Sequence, residues 1–482
     1  MSVRPLPTPM KITLLHLSLS ALALCACTSN APKAETGTPE LKPRLVVMTD
    51  IGPADVEPDD NESAVRLLSY ADRFEIEALI TSIGWNCDPY PDEWAEYLSR
   101  VVDGYAVDVH NLMKRSGQTD FLSNTEEDQP QALGYWPSAN YIRSRVMMGS
   151  QRAGIGVIGP DNDTEGSHKI IQLLDEDDPR PIYFCAWGGA NTLAQAIWRI
   201  QQERTEDELR QLLNKVHLYT ITDQDMQFNM RMNRAYSSHQ WLRREFAHDM
   251  TLIWDESAWL NQNELGKQSW EQYVSFIQNH GEMGKVYPTF LWGVEGDTPS
   301  FLHCMPNGLN DPCDPTQVGW GGIHEFGLAP DSLTKAWTNW EQPLKDVSDA
   351  YEKRFYPAEF RDFAARMQWA AEGCGTTNPI IILNGDRSVK PLRILAQAGQ
   401  QIVLDASQTY DAEGDALTFS WWQQTEGGHY GKSLTDSTST SSAISLTIPA
   451  DAVGQEIHIV CEVHDNSPFE LVSYRRIIII TQ

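Results

Sequence analysis

The order of apolar and amphipathic segments between Arg44 and about residue 375 does most to limit what this chain can fold into. Short apolar runs at 45–48, 76–83, 155–158, 182–186, 216–222 and 251–254 read as buried strands. Between and after them come helical patterns at 61–71, 93–111, 167–175, 192–202, 206–215 and 237–246. Parallel strands need crossover connections long enough to hold a helix, and strand-then-helix repetition at this spacing supplies them. The expectation is an α/β domain with a mostly parallel sheet flanked by helices, whose ligands sit at the carboxyl ends of the strands. The stretch from about 256 to 345 is irregular, rich in Gly and Trp, and less readable.

The pattern changes after Cys374. Gly375-Thr-Thr-Asn-Pro379 has the composition of a linker, and short strands follow at 380–383, 401–404, 417–422, 442–448, 457–463 and 475–480. Turn signals such as Asn384-Gly385 and Glu413-Gly414-Asp415 separate them, which predicts a small all-β sandwich. The division expected is therefore 43–375 for the α/β domain and 376–482 for the sandwich.

Ahead of both lies a leader. Lys11 precedes an apolar run from Ile12 to Ala26, too short for a mature membrane span and right for a signal h-region. It closes on Leu24-Cys25-Ala26-Cys27, which resembles a bacterial lipobox with Cys27 as the lipidated residue. A plain secretory signal cleaved nearby is the alternative. Residues 1–27 then form the signal and anchor, and 28–42 a flexible tether. The protein is expected in the bacterial cell envelope, periplasmic or on the outer membrane, touching lipid through the anchor only. A formal charge of −29 argues against nucleic acid polymers as partners. The 16 Trp are compatible with a carbohydrate ligand and equally with core packing. In an oxidising compartment Cys304 and Cys313, which bracket a turn-rich loop, are the expected disulfide. Cys185 and Cys461 lie in apolar runs and are expected to be buried thiols.

The first strand runs into Asp50-Ile-Gly-Pro-Ala-Asp55-Val-Glu57-Pro-Asp59-Asp60, with five carboxylates ahead of a helical pattern. So many charges in one loop repel unless a cation joins them, and a hard cation with oxygen ligands is the natural candidate. A solvated acidic loop with Asp59 or Asp60 as helix N-cap is the alternative. Three more polar clusters follow strands or apolar stretches: Trp187-Gly-Gly-Ala-Asn191, Asp223-Gln-Asp225 and Glu295-Gly-Asp297.

These segments carry a resemblance. Thr49-Asp-Ile-Gly52 with Pro58-Asp-Asp60, the run from Ala186 to Gln195, Glu295-Gly-Asp-Thr-Pro-Ser300 and Trp320-Gly-Gly322 identify the chain as a member of a bacterial family of cellulose-binding proteins. Their main domain is nucleoside hydrolase-like and their C-terminal domain a small β-sandwich. The run 404–422 also resembles immunoglobulin-like domains of the polycystic-kidney-disease type, where Asp411, Glu413 and Asp415 form an acidic turn or hold a cation.

More distantly, the chain is similar to inosine/uridine-preferring nucleoside hydrolases, in which calcium holds the nucleophilic water and the ribose hydroxyls. The resemblance implies Asp50 as calcium ligand and base, and Asp60, Asn191 and Asp297 as further ligands. It implies sugar contacts from Asp59 and Asn86, and the same pocket would draw on Asp223, Asp225 and Glu295. The chain departs from the hydrolase pattern at Met48, at five inserted residues from Pro53 to Glu57, and at Gly296, where many hydrolases carry a leaving-group histidine. Glu295, Asp225 and His324 are candidates for the missing acid, and Asp55 and Glu57 for added contacts. Two functions follow: a calcium-dependent hydrolase of a glycosidic bond in a nucleoside-like or carbohydrate substrate, or a catalytically silent carbohydrate-binding protein on the same fold.

Overall fold

A computed structural model describes residues 39–224, 236–434 and 439–482. The leader, Cys27 and Asp225 lie outside these described residues. No helix among the described residues is long and apolar enough to cross a membrane.

The first part is built on an eight-stranded sheet. Its strands are β1 (Arg44–Thr49), β2 (Glu75–Thr81), β3 (Val146–Met148), β4 (Ile182–Ala186), β5 (Val216–Ile221), β6 (Thr251–Asp255), β7 (Glu325–Leu328) and β8 (Lys335–Thr338). They lie in the order β3-β2-β1-β4-β5-β6-β8-β7, parallel except for the β7–β8 pair. Strands β1, β2 and β4 are buried on both faces, which is why β1 and β4 read as continuous apolar runs. The order reverses direction between β1 and β4, and at such a switch point the loops splay apart and open a crevice.

Two sequence expectations change here. Residues 155–157 form a single 3₁₀ turn, and the edge strand is the short β3 instead. The segment beyond β6 is largely helical, at Ala258–Gln268, Trp270–Phe276 and Thr298–Leu302. Polar and glycine-rich positions within these helices hid their periodicity. Lys42, at the end of the expected tether, is buried with its Nζ on Ala71 O and Gln131 Oε1, both at 2.8 Å.

A second body comprises β9 (Leu392–Ala396), β10 (Gln401–Asp405), β11 (Thr418–Gln424), β12 (Ala443–Thr447), β13 (Glu456–His464) and β14 (Val472–Thr481). β11-β13-β14-β9 form one sheet and β10-β12 the other, around a core that includes Trp421, Ile459 and Ile477. The expected strand at 380–383 reduces to an isolated bridge between Ile380 and Tyr410.

This body is fused to the first and does not swing from a linker. Buried Arg476 donates to Val318 O at 3.1 Å and to Gln424 Oε1 at 2.7 Å, and Gln424 Nε2 donates to Thr316 O at 2.9 Å. Trp422, Val460 and Tyr474 join the apolar core of the α/β body. The expected linker is itself pinned, with Asn378 Nδ2 on Asp362 Oδ2 at 2.7 Å.

The cysteine expectations divide. Cys185 and Cys461 are buried free thiols, as their apolar surroundings predict. Cys304 and Cys313 are unbonded. Cys304 is buried below the Thr298–Leu302 helix, while exposed Cys313 lies 3.4 Å from the Tyr183 hydroxyl.

Candidate functional site

The crevice at the switch point gathers the four polar segments, and hydrogen bonds lock each to its neighbours. The Trp187 amide donates to Met48 O at 2.9 Å, joining the β4 loop to the end of β1. Gln224 Nε2 reaches Trp187 O at 2.6 Å, so the β5 loop follows. Trp187 Nε1 donates to Ser300 Oγ at 2.8 Å, tying in the segment that carries Asp297.

The helix Pro58–Ser69 sets the fourth segment in place. Pro58 stands at its first turn and Glu57 at its N-cap position, so neither Asp59 nor Asp60 is the cap. Positions three and four apart share a helix face, so Asp59, Glu62, Ser63 and Arg66 look the same way. Glu62 Oε2 accepts the Glu295 amide at 2.7 Å, and Thr298 Oγ1 lies 3.1 Å from Ser63 Oγ. Arg66 Nη1 meets Glu295 Oε2 at 2.6 Å, and both side chains are fully buried. That ion pair holds Glu295 in a left-handed conformation, φ 57°, and turns the following residues toward the loop after β1.

Five carboxylates result: Asp50, Glu57 and Asp60 in one group with ligand oxygens within 4.8 Å, and Asp59, Asp60 and Asp297 in a second that shares Asp60. At such separations each like-charged pair repels by on the order of 3–4 kcal/mol at an effective dielectric constant near 20. No ion pair among the described residues reaches any of them from a basic side chain. Burial and then the Asp59 charge push Asp50 up to about 7, and burial raises half-buried Asp59 to about 6. Glu57, Asp60 and Asp297 also rise well above the carboxylate range, through burial first and neighbouring carboxylates second.

Asp50 is seated by two glycines. A Cβ on Gly84 would lie 1.7 Å from its Oδ2, and one on Gly188 would lie 2.7 Å from its Oδ1. The Trp85 amide donates to Oδ2 at 3.1 Å, while buried Oδ1 has no partner. Asp297 Oδ2 and Asn191 Oδ1 are likewise buried and unpartnered; the Asn191 amide donates to Gly154 O at 3.2 Å. Asp60 accepts the Thr49 hydroxyl.

Of the inserted residues, exposed Asp55 stays outside and buried Glu57 joins the group, held by the exposed Asn86 amide. Asn86, expected to touch sugar, therefore serves Glu57 here. Exposed Trp292 hangs over the insert, its Nε1 3.4 Å from Val56 O.

Other expected residues lie elsewhere. Glu295 has its carboxylate taken by Arg66, Gln262 and Tyr287, so it faces the core and not a ligand. Asp223 is occupied by Ser237 at 2.7 Å and Arg243 at 3.2 Å. His324 is fully buried, 3.5 Å from Asp255. At the position of the hydrolase histidine, Gly296 carries no side chain, and a Cβ there would crowd Asn263 and, at 3.1 Å, Asp59 Oδ2. Asn263, whose buried Oδ1 has no partner, carries no sequence signal, because it comes from a helix in the unreadable stretch. In the sandwich, Asp411 and Asp415 gather with Asp465 and not with Glu413, which pairs with Arg115.

A parallel sheet with this order and an acidic cluster at its switch point define a nucleoside hydrolase-like protein. The chain belongs to the cellulose-binding Sde182 family: residues 44–324 match the model of its nucleoside hydrolase-like domain. Residues 401–481 match the C-terminal domain of cellulose-binding protein Sde0182. Among solved structures it is similar to a nucleoside hydrolase-related hypothetical protein from Saccharophagus degradans, described as associated with carbohydrate metabolism. That likeness has 30% identity and a TM-score of 0.77, over 92% of this chain and 100% of the other. No curated protein matches.

Proposed function

We propose that this protein is an exported, calcium-dependent hydrolase of a glycosidic bond in a carbohydrate or nucleoside-like substrate. The observation that carries the proposal is the convergence of five carboxylates with no basic partner among the described residues. Calcium takes six to eight oxygens. The unpartnered buried oxygens of Asp50, Asp297 and Asn191 are donors of the right kind, so the residues present fit the ion.

When bound, calcium would supply the positive charge that offsets the cluster and would acidify a water molecule. The chain's own groups do the rest. Asp50, whose buried Oδ1 has no hydrogen-bond partner, accepts a proton from the attacking water. Asp59, half-buried at the mouth, accepts from sugar hydroxyls. Residual negative charge favours a sugar that becomes oxocarbenium-like as the bond breaks. Glu295 is committed to Arg66, and fully buried His324 stands beside Asp255 outside both carboxylate groups, which points away from ordinary nucleosides.

The absence of the histidine at Gly296 favours a second reading, a carbohydrate-binding protein without turnover, and exposed Trp292 offers a ring for sugar stacking over the inserted loop. The two are separated by assaying sugar release from nucleosides and cello-oligosaccharides with calcium. Turnover that disappears in Asp50→Asn supports the hydrolase. Calcium-dependent retention on cellulose without any release supports the binder. Export and anchoring through Cys27 belong to the same proposal, and labelled palmitate should enter the parent protein and not Cys27→Ala.

A further inference from the structure

We propose that the crevice holds two divalent cations that share Asp60, and that the inserted Glu57 is the ligand that creates the second position. This rests on the cation reading above. The acidic residues form two groups, not one: Asp50, Glu57 and Asp60 on the strand side, and Asp59, Asp60 and Asp297 on the helix side. Each group has its own deeply buried oxygen without a partner, Asp50 Oδ1 in the first and Asp297 Oδ2 in the second. These residues are 1% and 3% exposed, so solvent does not satisfy them.

Charge leads the same way. A single divalent ion would leave the five carboxylates with a large buried excess of negative charge, whereas two would nearly balance it. A carboxylate bridging two ions about 3.5–4 Å apart is the usual arrangement of paired-metal sites that clamp both the attacking and the leaving oxygen. The Pro53–Glu57 insertion thus supplies a ligand instead of merely lengthening the loop. Asn86 fits this scheme, because its amide fixes the Glu57 carboxylate that would otherwise be a mobile loop side chain.

The test is the calcium stoichiometry of the full chain by calorimetry and native mass spectrometry after chelator treatment. Every sample carries Asp465→Asn, so that the sandwich group does not enter the count. The expected result is two ions, one in Glu57→Gln, one in Asp297→Asn and none in Asp60→Asn. One ion in the parent, unchanged in Glu57→Gln, would overturn the proposal while leaving the cation reading intact. No ion at all would overturn both. Manganese in the unmutated loop gives a readout that does not depend on any variant folding. An exchange-coupled paramagnetic resonance spectrum is expected, and a purely single-ion spectrum at saturation would refute the shared site.

Discussion

Replacing Gly84 by alanine should disable the crevice without touching any carboxylate. The added Cβ would lie 1.7 Å from Asp50 Oδ2 and 2.5 Å from Asp50 Cβ. Carbon atoms need about 3.5 Å, so Asp50 Cβ must withdraw by about 1 Å. Turning the side chain clears the oxygen but not the Cβ, so backbone at the end of β1 or in the Gly84 turn has to yield. Overpacking of this kind costs about 1–3 kcal/mol of stability. Metal–ligand distances tolerate about 0.2 Å, and disturbing the support of a ligand lowers affinity by about 10–100-fold. Calcium titration calorimetry, with thermal melting in chelator alongside, reads both effects. Gly188→Ala, where the approach to Asp50 Oδ1 is 2.7 Å, should show the same defect in milder form. Gly156→Ala, with open space around its Cβ, should show none. A Gly84→Ala protein that binds calcium and melts like the parent would refute the reasoning.

Further outcomes follow from the supports of the site and from the core. Glu295→Gln leaves the fully buried Arg66 charge uncompensated and should cost about 3–5 kcal/mol by denaturant unfolding; a loss under about 1 kcal/mol would show the pair to be dispensable. Buried His239, whose Nε2 accepts the Ala190 amide, is held down to about 4 by burial, and buried His303 to about 3. The unfolded chain takes up those protons below about 6.5 while the fold refuses them. Stability should therefore fall as pH drops from about 6.5 toward 4, by about 3 kcal/mol for His239, and His239→Gln should flatten that slope. Trp292→Ala, at a side chain 66% exposed, should change stability by less than about 0.5 kcal/mol yet weaken cello-oligosaccharide binding about tenfold, roughly 1.4 kcal/mol.

The fold was legible because its strands announce themselves. β1, β4 and β5 are buried on both faces and flanked by helices with clear periodicity, so 45–48, 182–186 and 216–222 could be placed within a residue or two. Asp50, Asp59, Asp60 and Asp297 were visible as carboxylates at strand ends or turns, where switch-point geometry gathers ligands. What escaped depends on contacts distant in sequence. Glu295 looks like a site residue until Arg66, 229 positions away, is seen to claim it. Gly84 and Gly188 matter only through their approach to Asp50, and Asn263 only through its place beside Gly296. The Gly375–Pro379 segment reads as a linker by composition, but shared core residues such as Trp422 and Tyr474 make the two bodies one.

The most direct measurement is a crystal structure of the full chain grown with calcium, with anomalous scattering used to locate the ions. Density within the crevice, with Asp60 and either Asp50 or Asp297 oxygens at about 2.3–2.6 Å, is the predicted result. Saturating calcium with no density among these residues, or with density only at Asp411, Asp415 and Asp465, would contradict the assignment of the crevice as a cation site.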